Sequence, residues 1–194
     1  SPIMDRIRIS NSVAGDYAGG LHISTGGRTT LTNFIIDNNR GGYSSALAVI
    51  SSELESNYGT IQDNREGTCL LYSEPSTISM SHVLIVGNES VGSSHLLFNG
   101  TINLNHLTIA QNSNEASAIS CGIFNSSFNI NNSIILTDGG IAVTINESSS
   151  IQLIFNDIEN GRDAVQGDGE VIWGEGNIDA DPLFVDPDNG DYHL

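Results

Sequence analysis

The sequence predicts an all-β fold: a parallel β-helix of about seven coils, each about 24 residues long and carrying three short strands. Three observations predict it. Short apolar runs with β-branched residues recur between Asn, Gly and Ser clusters, and no 3.6-residue apolar stripe exceeds two turns. Registering the chain on Asn39, Asn64, Asn88, Asn112 and Asp138 gives steps of 25, 24, 24 and 26 residues. Within that register apolar and polar positions alternate with period two. An antiparallel sandwich would not require the same pattern to recur at this interval.

Each coil opens on an apolar strand: GLHIS (20–24), ALAVI (46–50), CLLYS (69–73), HLLFN (95–99), AISCG (118–122) and IAVTI (141–145). A second strand places Thr29, Leu54, Ile78, Ile102 and Phe128 ten residues before the marker, and Leu31, Ser56, Met80, Leu104 and Ile130 eight before. The residues between and after these, such as Thr30, Glu55, Asn103 and Asn105, are polar and belong outside. A third strand carries Ile36, Ile61, Ile85, Ile109 and Ile135. No coil can bury its apolar face alone, but stacking coils ~4.8 Å apart closes a continuous interior. The marker asparagines read as an inward ladder, each amide bonding its own turn and the next coil. An amide row gripping a sugar is the alternative. Coils are expected over 1–172 and an Asp/Pro-rich C-terminal cap over 173–194.

Strings such as TINLNHLTIAQN (101–112), with the asparagine marker, resemble right-handed parallel β-helix repeat proteins of the pectate-lyase-like superfamily. NIDADPLFVDPDNGDYHL (177–194) is similar to the segment that ends the helix in many secreted bacterial members. The resemblance implies a right-handed coil and a secreted or cell-surface location. Such relatives usually run on past this stretch, which implies a fragment or processed form. It does not select an activity, because the superfamily includes lyases, hydrolases and adhesins.

Bulk composition narrows the partners. Lysine is absent, and six arginines face 23 acids for a formal charge of −17, which argues against nucleic acid or an anionic membrane. No apolar run reaches membrane-spanning length. Cys69 and Cys121 lie two coils apart, ~10 Å, too far for a disulfide, and read as buried thiols. Asn-x-Ser/Thr sequons stand at Asn88, Asn99, Asn125, Asn131 and Asn146, as chance allows in so Asn-rich a chain.

Three sets of residues are candidates for function. Six before the marker lie Tyr58, His82 and His106 in consecutive coils, flanked by Asn33 and Asn132; they suit glycan contact, half of a metal site, or an exposed polar column. One after it lie Arg40, Arg65 and Glu89, which read as a solvated edge, with a stacked ion-pair row or the basic end of an acidic-sugar site as alternatives. The tail holds Asp179, Asp181, Asp186, Asp188 and Asp191, an oxygen-rich segment suited to calcium. The plainer alternative is a cap in which Trp173, Leu183, Phe184, Val185 and Tyr192 cover the open end. As an enzyme the chain would be a polysaccharide lyase or hydrolase with Arg40, Arg65, His82 and His106 in its groove. Yet lysine is missing, and the outward acids Asp37, Asp63, Glu66, Glu89, Glu115 and Asp138 share no column. The expectation is therefore a non-catalytic extracellular module: a rigid acidic stalk, an adhesin-like module, or a surface whose polar columns contact polysaccharide, cell-surface glycan or another partner. A filament subunit associating through coil ends is the third reading.

Overall fold

The structure, a computed structural model, describes residues 1–92, 94–113, 117–122, 125–137 and 139–194. It is a parallel β-solenoid of about seven turns, and its helical content is two 3₁₀ turns, Gly161–Ala164 and Pro187–Asn189. A seven-stranded sheet takes one strand from each coil: Leu21–Ile23, Ser44–Val49, Cys69–Ser73, Ser94–Phe98, Ser117–Cys121, Ile141–Ile145 and Val165–Gly167. The first six fall within a residue or two of the expected runs, and Val165–Gly167 adds a seventh that had none. A larger sheet stacks the remaining strands, from Ile3–Asp5 to Glu170–Trp173.

Register places like residues one above another. Met4, Leu31, Ser56, Met80, Leu104, Ile130, Leu153 and Trp173 pair in succession, at steps of 27, 25, 24, 24, 26, 23 and 20 residues. The coil therefore tightens toward the C-terminus. The predicted inward columns at ten, eight and three residues before the marker are all buried. This is the core: isoleucine upon isoleucine at strand spacing, with Phe34, Phe98 and Phe128 its largest members.

The strands differ from expectation in one respect. In the middle coils the second and third strands are one bent strand: Arg28–Asp37, Glu53–Gln62, Ser76–Val86 and Gly100–Ala110. They are separate in the first coil, as Ile3–Asp5 with Arg8–Ser10, and again in the later ones, as Ser127–Asn131 with Ile134–Ile135 and Ser150–Ile154 with Asp157–Ile158. A single left-handed residue makes each bend. Arg6, Asn33, Tyr58, His82, His106, Asn132, Phe155 and Gly176 have φ of 52°, 51°, 55°, 54°, 53°, 51°, 56° and 73°. One such residue redirects the chain without interrupting the pairing on either side. A second left-handed column, Asn11, Asn38, Asp63, Gly87 and Gln111, turns the next corner.

At both corners the residue after the left-handed one points inward. After the second corner these are the marker asparagines. Asn64 Oδ1 accepts from the backbone N–H and the Nδ2 of Asn39, both at 3.0 Å; Asn64 Nδ2 donates to the Ile36 carbonyl at 2.9 Å and to Asn88 Oδ1 at 3.0 Å. Asn88 repeats the relay onto Asn112, while Asp138 lies outside the described residues. The ladder then changes corner. Asn177 Oδ1 accepts from the N–H and Nδ2 of Asn156, and Asn156 Oδ1 accepts from the N–H of Ser133, all at 3.0 Å. In earlier coils Phe34, Gly59, Val83 and Leu107 hold that position, and the Phe34 ring lies where a Cβ on Gly59 would stand, 2.2 Å away.

Coil register persists through Trp173 to Asn177 and Ile178, which still pairs with Asp157. Beyond it the tail forms a hairpin, with Val185 N–H on the His193 carbonyl at 2.9 Å and Asp186 opposite Asp191. The Tyr192 hydroxyl donates to Gln111 Oε1 at 2.5 Å, 81 residues back, so the tail lies along the flank of the solenoid. The expectation that Leu183 and Val185 cover the open end is corrected, because they are 75% and 66% exposed.

Candidate functional site

The left-handed column is the most distinctive outward feature. Tyr58, His82 and His106 stack ring on ring, with centroids 4.7 and 4.6 Å apart and interplanar angles of 23° and 4°. All three are exposed. The neighbouring side chains are hydroxyls and amides. Ser81 Oγ meets His82 Nδ1 at 2.8 Å, Asn132 Nδ2 donates to Asn105 Oδ1 at 2.9 Å, and Asn129 Nδ2 to Asn103 Oδ1 at 3.0 Å. Rings this parallel direct their in-plane nitrogen lone pairs side by side, so they do not converge on one ion. Their geometry suits stacking.

Arg40 and Arg65 occupy a different corner. They sit side by side as a parallel bridge, around a recess that Asn38, Asn39 and Asp63 also line. The stacked row expected with Glu89 does not form. Arg40 Nη1 instead pairs with Glu66 Oε1 at 2.9 Å, and both side chains are more than half exposed. Seven residues separate Tyr58 from Arg65 along one coil, on the order of 15–20 Å across a nearly straight run. The fold thus brings the imidazoles together and the guanidinia together, but not the two pairs into one groove.

Among the acids, Asp37 is corrected from outward to buried. Arg8 forks onto it, Nη2 to Oδ2 at 2.5 Å and Nε to Oδ1 at 2.9 Å, which holds the carboxyl below the usual value of 3.8. Glu115 and Asp138 lie outside the described residues. Of the tail carboxylates, Asp181, Asp186 and Asp191 serve their own turns, while Asp179 reaches back to the preceding coil. Asp179 Oδ1 accepts from Asn160 N–H at 3.1 Å, Asp181 Oδ1 from Leu183 N–H at 2.9 Å, and Asp186 Oδ2 from Asn189 Nδ2 at 2.9 Å. Asp191 Oδ1 meets His193 Nδ1 at 2.5 Å, and Asp188 lies near Tyr192. Among the described residues no three His, Cys, Asp or Glu side chains converge as metal ligands, so the calcium expectation draws no support from this arrangement.

Sequence reasoning missed an aromatic cleft on the seven-stranded sheet. The outward row there runs His22, Ala48, Tyr72, and the small Ala48 leaves a notch. Tyr17 stacks on His22 at 5.2 Å, Tyr43 meets Tyr72 edge-on at 4.8 Å, and Tyr17 and Tyr43 are 6.3 Å apart. Together they border a cleft of about 470 Å³ with Gly15, Gly42, Asp16 and Glu74. The Tyr72 hydroxyl donates to Glu74 Oε1 at 3.0 Å; burial and that carboxylate push its phenol above the ordinary range. The available signal was GDYAGG (15–20) against GGYSS (41–45), a tyrosine behind glycine in consecutive coils.

Cys69 and Cys121 are free and buried, as expected, and burial raises the Cys69 thiol to about 12. Of the sequons, Asn88 and Asn99 are buried, Asn131 is half-buried, and Asn125 and Asn146 are exposed. Comparison with protein-family models, with curated proteins and with solved structures finds no match to this chain.

Proposed function

We propose that the chain is a non-catalytic module of the pectate-lyase-like β-helix type. In this reading it is secreted or displayed at a cell surface, and its exposed aromatic column contacts polysaccharide or cell-surface glycan. One observation carries the reading. Tyr58, His82 and His106 occupy left-handed positions that Asn33, Asn132 and Gly176 fill elsewhere in the column. Bulky side chains cost ~1–2 kcal/mol there, whereas Gly and Asn adopt the conformation readily. Stacking between the rings offsets part of that cost. The edges of the three stacked rings, among amides and hydroxyls, also present a contiguous row of hydrogen-bonding groups along which a glycan can lie. The separation of this column from Arg40 and Arg65 supports binding over bond cleavage.

The test is retention on a panel of neutral and acidic polysaccharides, with assays for new reducing or unsaturated ends. Retention without product is expected. The triple replacement Tyr58→Asn, His82→Asn and His106→Asn should abolish retention while leaving stability within about 1 kcal/mol, because Asn tolerates the backbone. Product formation, or retention undiminished in the triple variant, would overturn the reading.

A further inference from the structure

We propose that the aromatic cleft lined by Tyr17, Tyr43 and Tyr72 binds a positively charged amino sugar, a pyranose bearing a free ammonium group. Every element of the cleft then has a use. Tyr17 and Tyr43 are 46% and 47% exposed, so their faces are open to a ligand. The apolar face of a pyranose packs on such a ring, and an ammonium placed over it is drawn by the ring quadrupole. Asp16 and Glu74 bring two carboxylates to the rim, and no lysine or arginine lines it. Tyr72 holds Glu74 in place through its 3.0 Å hydrogen bond, so the charge is positioned before a ligand arrives. Gly15 and Gly42 form a floor without side chains, where a Cβ on Gly42 would come 2.3 Å from the Gly15 carbonyl oxygen. The volume, about 470 Å³, falls in the range of small-ligand sites.

Charge decides among sugars. A uronate would meet two carboxylates within a protein of formal charge −17. A neutral sugar would use the rings and leave the carboxylates without a counter-charge. An amino sugar uses both. The aromatic cluster also shields Ala48, which is fully buried, but that purpose would be served without Asp16 or Glu74.

The inference shares with the proposed function only the premise that this surface meets glycans. It concerns a different face, so the two can fail separately. The experiment is a calorimetric titration of the full chain with free-amine glucosamine tetramer, its N-acetylated counterpart and galacturonate tetramer. Binding of the free-amine tetramer alone is expected, weakening as salt rises from about 20 to 200 mM. Tyr43→Ala and Glu74→Gln should each reduce affinity about two- to fivefold, the size of one exposed cation–π contact or charge pair. Glu55→Gln, which removes a remote acid, should bind as the parent does. Equal affinity for free-amine and acetylated tetramers would overturn the proposal, as would no binding at all. Weakening by Glu55→Gln as strong as that by Glu74→Gln would reveal diffuse attraction to an acidic surface and overturn it too. Loss of binding in Tyr58→Ala alone would move the ligand to the other column.

Discussion

At the scale of single residues, two buried ionisable groups depend on neutral or paired states. Asp37 is ionised because Arg8 grips it, so its contribution is present above the ordinary carboxylate value and is lost as pH falls through its lowered one. His95 is the opposite case. It is 2% exposed, its Nδ1 meets Ser90 Oγ at 3.0 Å, and its Nε2 has no hydrogen-bond partner among the described residues. Among the described side chains nearby, Asn112, Ser117 and Thr137 carry no charge, and burial lowers His95 from 6.5 to about 4. The unfolded chain therefore takes up a proton near pH 6.5 that the folded chain refuses until about pH 4. Stability should fall as pH drops through that window, by at most about 3 kcal/mol from this group, and level off below it. His95→Gln keeps a partner for Ser90 and cannot titrate. Denaturant titrations between pH 7 and 4 should show a shallower decline for the variant, and parallel curves would refute the assignment. Nothing in HLLFN (95–99) marked the histidine as interior, because strand alternation alone put it beside apolar neighbours.

At the scale of elements, the amide ladder holds the coils in register. Each interior rung makes several hydrogen bonds in a space that excludes water, so removing one leaves partners unsatisfied on both neighbouring coils. Asn64→Ala strands the Asn39 N–H, takes the side-chain donor from the Ile36 carbonyl, and removes one of two hydrogen bonds each from Asn39 Nδ2 and Asn88 Oδ1. Loss of about 3 kcal/mol is expected in chemical denaturation, from the stranded buried donor and the hydrogen bonds lost around it. Asn57→Ala, on the outward face, should cost less than about 0.5 kcal/mol. Equal losses would mean that the ladder is incidental. Asn39 through Asn112 were legible as a repeat, since equal spacing of one residue type is visible in one dimension. The move of the ladder to Ser133, Asn156 and Asn177 was not, because inward direction there follows from the left-handed residue just before, and φ is not written in the sequence. The fusion of second and third strands escaped for the same reason: Tyr58 or His82 in a left-handed conformation looks like any polar break.

At the scale of the whole molecule, the solenoid carries its chemistry on separate flanks: aromatic column, arginine corner, tyrosine cleft and acidic hairpin. Only the hairpin reaches across coils by folding back, through Tyr192 on Gln111. Its carboxylates are spent on local turns, so melting in excess Ca²⁺ and in EDTA should give the same midpoint. A calcium site occupied at a hundred times its dissociation constant would add about 2.7 kcal/mol, raising the midpoint by roughly 5–10 °C, and such a rise would reinstate the site. The sequence by itself determined the β-solenoid, its coil length, its inward columns and the stacking of Tyr58, His82 and His106, because period-two alternation and a fixed repeat force like residues into columns. The tertiary structure alone decided the rest: that Asp37 is buried under Arg8, that the tail turns back along the flank, and that Tyr17, Tyr43 and Tyr72 meet over Ala48. These contacts join different columns, and their geometry depends on how sharply each corner bends, a quantity that repeat spacing does not carry.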